Sequence, residues 1–563
     1  MIRARILACL VFVAALLAAW PAQAQEEGNT AERVRIAWPK YDGTLTPYTF
    51  VERSYPLMTL VYDTLRWRGG GEWLALQVRN SEAGTRVTVR LREGARWHDG
   101  RPLTAEDVKF SYDYFAERYQ PRFTPQLEAI ESTEVVDELT VAFNLEHPAP
   151  GFSQPLSDVP ILPRHLWEDL PAGETPPGLP VGSGPYRLVE SNPEGYVFRA
   201  NNDYFLGRPR VATLELPFNS DFEETVRSLL SREIDMIPPT LPEGTQEDVV
   251  GPSFETDNGV SYNGTALVFN LREAPFDSAQ ARRAVSSALD LRRITQGTVG
   301  FNEFSFAADR GYVHPQAGWA SEGPLHSFDL ERARSELAAL DLPSITVLAP
   351  SDDPFRSEAG NQVVLALERA GADAELREVS GDELTTAVAP DGGAPSFEAA
   401  IVSIPPLVSY SPDNLRLVFG SDERQAPLNY SGYASEEFDS LAARAARETN
   451  PDERAQAIRS QLELLAQDDV PAVPLFYPEG AYVFRPSIYQ GWTFTAGHGL
   501  LDKRSFLPTT VRSAEGPGPN AAPPPPTGDS GGGIGVGAVI ALGMVGIVLL
   551  VIAVGVVQRA RGT

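Results

Sequence analysis

Between Arg86 and Phe115 the spacing of apolar side chains changes once, and that change decides the fold class. Val87, Val89 and Leu91 alternate with Arg86, Thr88 and Arg90, the period-two pattern of a half-buried strand. Asp99 and Gly100 then form a turn dipeptide, since glycine accepts backbone angles that other residues resist. Thr104, Glu106 and Asp107 follow as a helix start: a hydroxyl for a free amide, and acids for the positive end of the helix. Val108, Tyr112 and Phe115 fall on one helical face. His98 beside Asp99 therefore reads as part of a turn, because the pair without a nucleophile is no mechanism.

The same switching recurs along the chain. Residues 221–235 read as a helix with Val226, Leu229 and Leu230 inward, and residues 266–270 as a short strand. A helix over 278–294 carries Ala281, Ala284, Val285, Ala288 and Leu289 on one face. Two late helices begin near Ser435 and at Pro451, a favourable first position for proline. They turn Phe438, Leu441, Ala442 and Ala445, then Ala455, Ile458, Leu462 and Leu465, toward a core. Strands and helices interspersed in this way predict a mixed α/β (α+β) protein.

The two ends read as membrane signals. Arg3 and Arg5 precede an apolar run over 6–19 and the A-x-A site Ala22-Gln23-Ala24, so residues 1–24 are expected to be a cleaved secretory signal. Residues 534–557 carry no charged or polar side chain and as a helix would span about 36 Å, enough for a bilayer core. Arg559 and Arg561 follow, which sets the tail in the cytoplasm and the large N-terminal part outside. Residues 513–533 are rich in proline and glycine without apolar periodicity and read as a disordered tether.

Composition excludes several kinds of chemistry. Cys9 is the only cysteine and lies inside the signal, so the mature chain has no disulfide, thiol nucleophile or cysteine-bound metal. The formal net charge is −28, which disfavours nucleic acid as a partner. His98, His147, His165, His314, His326 and His498 are scattered without metal-ligand spacing. No nucleophile-elbow, P-loop or dinucleotide motif is present. Gly182-Ser-Gly-Pro185 precedes a strand-like Tyr186-Arg-Leu-Val189 and reads as a turn. An enzyme is not expected, and neither a cofactor nor a metal is called for.

Taken together, these segments resemble the extracytoplasmic solute-binding proteins of family 5, the peptide, oligopeptide and nickel class that serves ATP-binding-cassette importers. The resemblance rests on five segments in collinear order. They are LREGARWHDGRPLTAEDVKFSYDYF at 91–115, GSGPYRL at 182–188 with NNDYF and GRP after it, and LLSREIDM at 229–236. The last two are the helix segment at 270–294 and the closing helix pair with Val473-Pro-Leu475. Arg232 stands where that family usually has glycine.

The resemblance implies a two-lobed periplasmic-binding-protein clamshell of the large, peptide-binding type. Lobe I would comprise residues 33–52, 178–265 and 482–512, with an inserted subdomain at 53–177 and lobe III at 266–481. The chain would bind a peptide or other small polar solute as a monomer and deliver it to permease subunits with cytoplasmic ATPases. It would be held at the outer face of the cytoplasmic membrane by its C-terminal helix. A tethered sensor or scaffold without transport is the alternative, as is an oligosaccharide receptor of the same fold.

The resemblance also points to site residues. Peptide binders of the family carry W-x-x-D-Y-x-[DE]-P, whose Asp pairs with a peptide ammonium. The corresponding stretch here is IPPLVSYSPDNL at 404–415: Tyr410 matches, Ser409 stands at the Asp position, and Asp413 lies nearby out of register. A modified peptide or other polar solute is therefore expected beside free peptides. Val51, Glu52 and Arg53 match a family contact position. Tyr262 and Trp492 are aromatic cleft candidates, with Tyr41 and Tyr48 behind them.

Overall fold

The computed structural model describes residues 30–508, apart from 41, 42, 44, 49–53, 69–71, 172, 220, 221, 238–250, 252 and 391. The expected signal, tether and membrane helix lie outside the described residues. Among the described residues no helix is long and apolar enough to cross a membrane.

Four sheets organise the described chain. In the first, Ala31–Arg35 pairs in parallel with Val211–Pro217, followed by Gly195–Ala200 and Tyr186–Asn192, both antiparallel. The second is an antiparallel sheet in the order Ala75–Asn80, Arg86–Leu91, Thr140–Leu145 and Ile130–Asp137. The third joins Glu255–Val260, Glu479–Phe484 and Met236–Ile237. The fourth has six strands in the order Phe306–Ala307, Ala472–Tyr477, Gly264–Phe269, Ala399–Ile404, Ile345–Pro350 and Ala374–Val379.

The six-stranded sheet is covered on both faces, which is why its strands read as continuous apolar runs rather than alternating ones. Leu267, Phe269, Val347, Ile401 and Val473 enter one core, while Ala266, Val268, Leu348, Ala400 and Val402 enter the other. Ala279–Ala288, Leu291–Thr298 and Pro354–Arg369 supply the first core. The expected single helix over 278–294 is in fact two. The first ends at Leu289, and Asp290 caps the second by accepting from the Arg293 amide. A strong cap overrides apolar spacing that continues across it.

The first two sheets share one core, running from Val34 and Trp38 through Val89, Tyr112 and Phe143 to Tyr489 and Phe506. Two of the sequence motifs lock together inside it. The His98 amide donates to the Gly182 carbonyl at 2.8 Å, and the Gly182 amide donates to His98 Nδ1 at 3.2 Å. Nε2 then carries the proton to the Gly184 carbonyl at 3.0 Å. A Cβ at Gly182 would lie 1.9 Å from the Val61 carbonyl oxygen, so only glycine fits this approach. The Thr104 start also forms as read, with Asp107 accepting from the Thr104 amide at 2.9 Å. At Arg232 the backbone is left-handed, φ 70°, which accounts for the glycine usual in the resembling family.

The chain's beginning and end meet at one fully buried ion pair. Lys503 Nζ lies 2.7 Å from Asp63 Oδ1, and both side chains are 0% exposed. Trp73 Nε1, Tyr204 Oη and Ser183 Oγ also donate to this carboxylate, at 2.9, 2.9 and 3.1 Å. The ammonium faces the rings of Trp67 and Trp73 at 4.5 and 4.9 Å. Burial pulls its pKa below the usual lysine value, and Asp63 opposes that. Removing one partner leaves the other charge buried alone. Lys503→Met should therefore cost about 3–5 kcal/mol in urea unfolding, with Asp63→Asn/Lys503→Met recovering part of it.

Candidate functional site

The chain passes between the third and fourth sheets twice. Glu255–Val260 leads into Gly264–Phe269 through 261–263, and Ala472–Tyr477 leads into Glu479–Phe484 through Pro478. The two passages are neighbours, because Val260 pairs with Glu479 and Thr265 with Phe476. Two adjacent single-stranded crossings are the geometry of a hinge.

Aromatic rings fill the base of the cleft at these crossings. Tyr262, on the first crossing, meets Tyr410 edge-on at 5.4 Å and His314 at 5.1 Å. His498 stacks on Tyr410 at 5.6 Å and contacts Trp67 at 5.4 Å. The rings therefore continue from the core of the Lys503 pair to Tyr410 and Tyr262. Gly497, at φ 77°, lets its loop approach: a Cβ there would lie 2.4 Å from Tyr410 Oη. Its amide donates to the Val260 carbonyl at 3.0 Å.

A buried polar cluster lies beside these rings. Asp158 is fully buried and accepts from Tyr55 Oη at 2.8 Å, Gln126 Nε2 at 2.8 Å and Arg122 Nε and Nη2 at 2.9 and 2.7 Å. Arg68 Nη2 makes a further short contact to it. The Arg68 guanidinium lies 4.0 Å from the centre of the Tyr410 ring, which comes from a segment more than 300 positions away. Burial lowers the Arg68 pKa, partly offset by the two tyrosines. Burial also raises Tyr410, to about 12.

Residues from 125–155 and from 411–447 enclose a cavity of about 230 Å³. Pro125, Gln126, Phe152 and Pro155 form one wall, and Ser411, Asp413, Arg416 and Leu417 form the other. Arg416 bridges the walls, reaching Glu128 at 2.5 Å and donating to the Pro125 carbonyl at 2.7 Å. Arg454 holds Asp413 through both carboxylate oxygens at 2.9 Å. Among the described residues no group of histidines, cysteines and acids has the arrangement of a metal site.

The sequence candidates scatter over this geometry. Tyr262 and Tyr410 come together at the hinge, and Asp413 lines the cavity. Ser409 is fully buried behind Tyr410, its Oγ accepting from the His314 amide at 3.1 Å. Trp492 packs in the lobe I core against Tyr489, Phe506 and Phe484. Tyr48 contacts Tyr114, while Tyr41, Val51, Glu52 and Arg53 lie outside the described residues. Sequence reasoning missed Arg68, Arg122, Asp158 and His498. Arginine and aspartate are common in this chain, His498 is one of six scattered histidines, and nothing local marks these four.

Comparisons agree with this architecture. Residues 71–421 match the profile described as Bacterial extracellular solute-binding proteins, family 5 Middle. Oligopeptide-binding protein AppA of Bacillus subtilis is 23% identical over 448 residues, covering 75% of this chain and 80% of that protein. Peptidoglycan-binding protein YepA of Agrobacterium fabrum is 25% identical over 367 residues, covering 58% and 56%. Among solved structures, the substrate-binding protein CtaP of Listeria monocytogenes superposes with a TM-score of 0.74 at 22% identity. That match covers 85% of this chain and 99% of CtaP. The B. subtilis AppA complex with a nonapeptide gives 0.74 at 19%, with the same coverage. These likenesses show the mixed α/β, two-lobed periplasmic-binding fold.

Three buried histidines are held neutral: His314 and His498 near the crossings, and His98 in the core of the first two sheets. Burial lowers His314 and His498 to about 3 and His98 to about 4. A histidine depressed on folding takes up its proton more readily in the unfolded chain. Its contribution is complete above the unfolded value of about 6.5 and is lost as pH falls toward the folded value. Unfolding free energy should drop by roughly 1.4 kcal/mol per pH unit for each such histidine below that point. His314→Asn should flatten the slope measured by urea titration between about pH 6.5 and 4.5.

Proposed function

Because the chain belongs to the bacterial extracellular solute-binding proteins of family 5, we propose that it is the substrate-binding component of an ATP-binding-cassette importer. It takes a peptide or peptide-like solute between its lobes and releases it to a permease. The observations that support this reading are the pair of adjacent crossings at 261–263 and Pro478 and, separately, a cavity walled by residues from 125–155 and from 411–447. Tyr262, Tyr410 and Asp413 are the ligand-facing residues of the proposal. Lobe I and the inserted subdomain act as one body and residues 264–477 as the other.

A cavity of about 230 Å³ is smaller than the usual pocket for a drug-sized ligand, about 300–1,000 Å³. The lobes therefore part to admit a peptide and close on it. Relatives named for oligopeptide and for peptidoglycan are consistent with a peptide-like solute. Residues 534–557 anchor the receptor in the cytoplasmic membrane and 513–533 tether it, raising its concentration near the permease.

Ligand bound to the closed form should stabilise the fold by about 2.7 kcal/mol at a hundredfold excess over Kd. A thermal-shift screen of free peptides, N-blocked peptides and oligosaccharides measures this, and no stabilisation by any class sinks the reading. Closure has its own probe. A Cβ at Gly151 would lie 1.9 Å from Asp413 Oδ2, on the opposite wall. Gly151→Val should leave the unliganded melting temperature nearly unchanged and weaken binding at least about tenfold by calorimetry. Anchoring is tested separately: a chain ending at Arg512 should be secreted in soluble form with unchanged affinity, whereas membrane retention of that fragment would refute the tether.

A further inference from the structure

The cavity between residues 125–155 and 411–447 keeps two unspent amide atoms in one of its walls. Gln126 and Gln154 both line it, and Gln126 Oε1 and Gln154 Nε2 are buried without a hydrogen-bond partner. The orientation of Gln126 is fixed. Its Nε2 donates to the Arg122 carbonyl at 2.7 Å and to Asp158 Oδ2 at 2.8 Å. Both of these accept only, so the amide cannot turn over and its oxygen remains the free end. Gln154 precedes Asp158 by one turn of the helix Ser153–Asp158, which sets the two on one face. The two glutamines, one held by Asp158 and one a turn away from it, are therefore neighbours in that wall.

The charged groups of the walls are already engaged or face water. Arg416 holds Glu128, and Arg454 holds Asp413. Asp439 accepts from the Ser421 amide at 3.2 Å, and His147 Nδ1 lies 3.0 Å from the Pro148 carbonyl. Asp422 and Arg447 are exposed. Among the described lining residues, what remains buried and unmade is one neutral acceptor and one neutral donor. Such groups cost free energy until a partner reaches them. Phe152, Pro155 and Leu417 border the same space and suit methylene groups. A volume of about 230 Å³ equals roughly seven waters at about 30 Å³ each, the scale of one side chain and not of a whole peptide.

We infer that this cavity takes a primary carboxamide of the bound solute, its N–H donating to Gln126 Oε1 and its carbonyl accepting from Gln154 Nε2. This rests on the reading that a solute binds between the lobes, and it deepens that reading by naming the chemistry the cavity selects. A peptide bond is trans, with N–H and C=O pointing opposite ways, so it cannot serve two neighbours in one wall. A primary carboxamide carries a donor and an acceptor on the same side. A carboxylate of the same shape has no donor for Gln126, and a thioether has no donor and only a weak acceptor. The carboxamide belongs to a side chain of the solute or to an amidated C-terminus.

The test is competitive retention on the full-length protein in detergent, with retained species quantified by mass spectrometry. One arm compares the tripeptides Ala-Gln-Ala, Ala-Glu-Ala and Ala-Met-Ala; the other compares trialanine amide with trialanine. The wild type should prefer the carboxamide member of an arm by about tenfold or more, the scale of two neutral hydrogen bonds. Preference in the first arm identifies a side-chain carboxamide, and preference in the second an amidated C-terminus. Gln154→Met, close in size, and Gln154→Leu should each bring the carboxamide member level with its counterparts, with Gln126 left in place to hold Asp158 and melting temperatures confirming that the variants fold. Equal retention within both arms, preference for the acid, or a preference that survives both variants overturns the carboxamide pocket and leaves the solute-binding reading intact. Retention of no peptide by the wild type defeats that reading and the pocket with it.

Discussion

The carboxylate of Asp63 is the point on which the rest of the molecule turns. Donors from Trp73, Ser183, Tyr204 and Lys503 converge on it, so the local segment, the stretch around 183–204 and the C-terminal segment share one buried acceptor. Lys503 is 440 positions away. Ordering such remote segments has a large entropic cost, and a buried charge tolerates no loose arrangement of its partners. The pair therefore acts as a registry device. It brings the C-terminal segment home against Trp67 and Trp73, and that segment carries His498 and Gly497 to the hinge.

From there the consequences run outward. Trp67 touches His498, His498 stacks on Tyr410, and Tyr410 meets Tyr262 on the crossing itself. The core around the Lys503 pair is thereby joined to the six-stranded sheet's side of the crossings through rings. The bridge from Lys40 to Asp382, at 3.0 Å, also joins remote segments, but both side chains are well exposed, and such pairs contribute little. Asp158 plays a second, smaller version of the Asp63 role by holding two arginines under the aromatic base of the cleft.

Several sequence motifs turn out to be parts of one another. The RWHDG turn and the GSGP turn read separately as structural punctuation; in the fold, His98 clasps Gly182 and Gly184. Arg232 looked like a departure from a glycine position, and its φ of 70° is the conformation that position demands. The helix over 278–294 was legible as helix but not as two helices, because apolar spacing continues past the cap at Asp290. Ser409 was singled out as the residue replacing an acid. It sits fully buried with its hydroxyl on a backbone amide, a role that register alone does not reveal.

The sequence by itself determined the mixed class, the main turns and helix starts, and the ordered motifs by which the chain is recognised. These depend on neighbours a few residues apart, where periodicity and capping chemistry act. Tertiary structure alone decided which of the chain's many arginines is buried, which of its three lysines is sealed in a core, and which aromatics meet at the hinge. Arg68 and Asp158 are 90 positions apart, and Asp63 and Lys503 are 440 apart. A charge becomes valuable or costly only once folding removes its water, and no local pattern records where that happens.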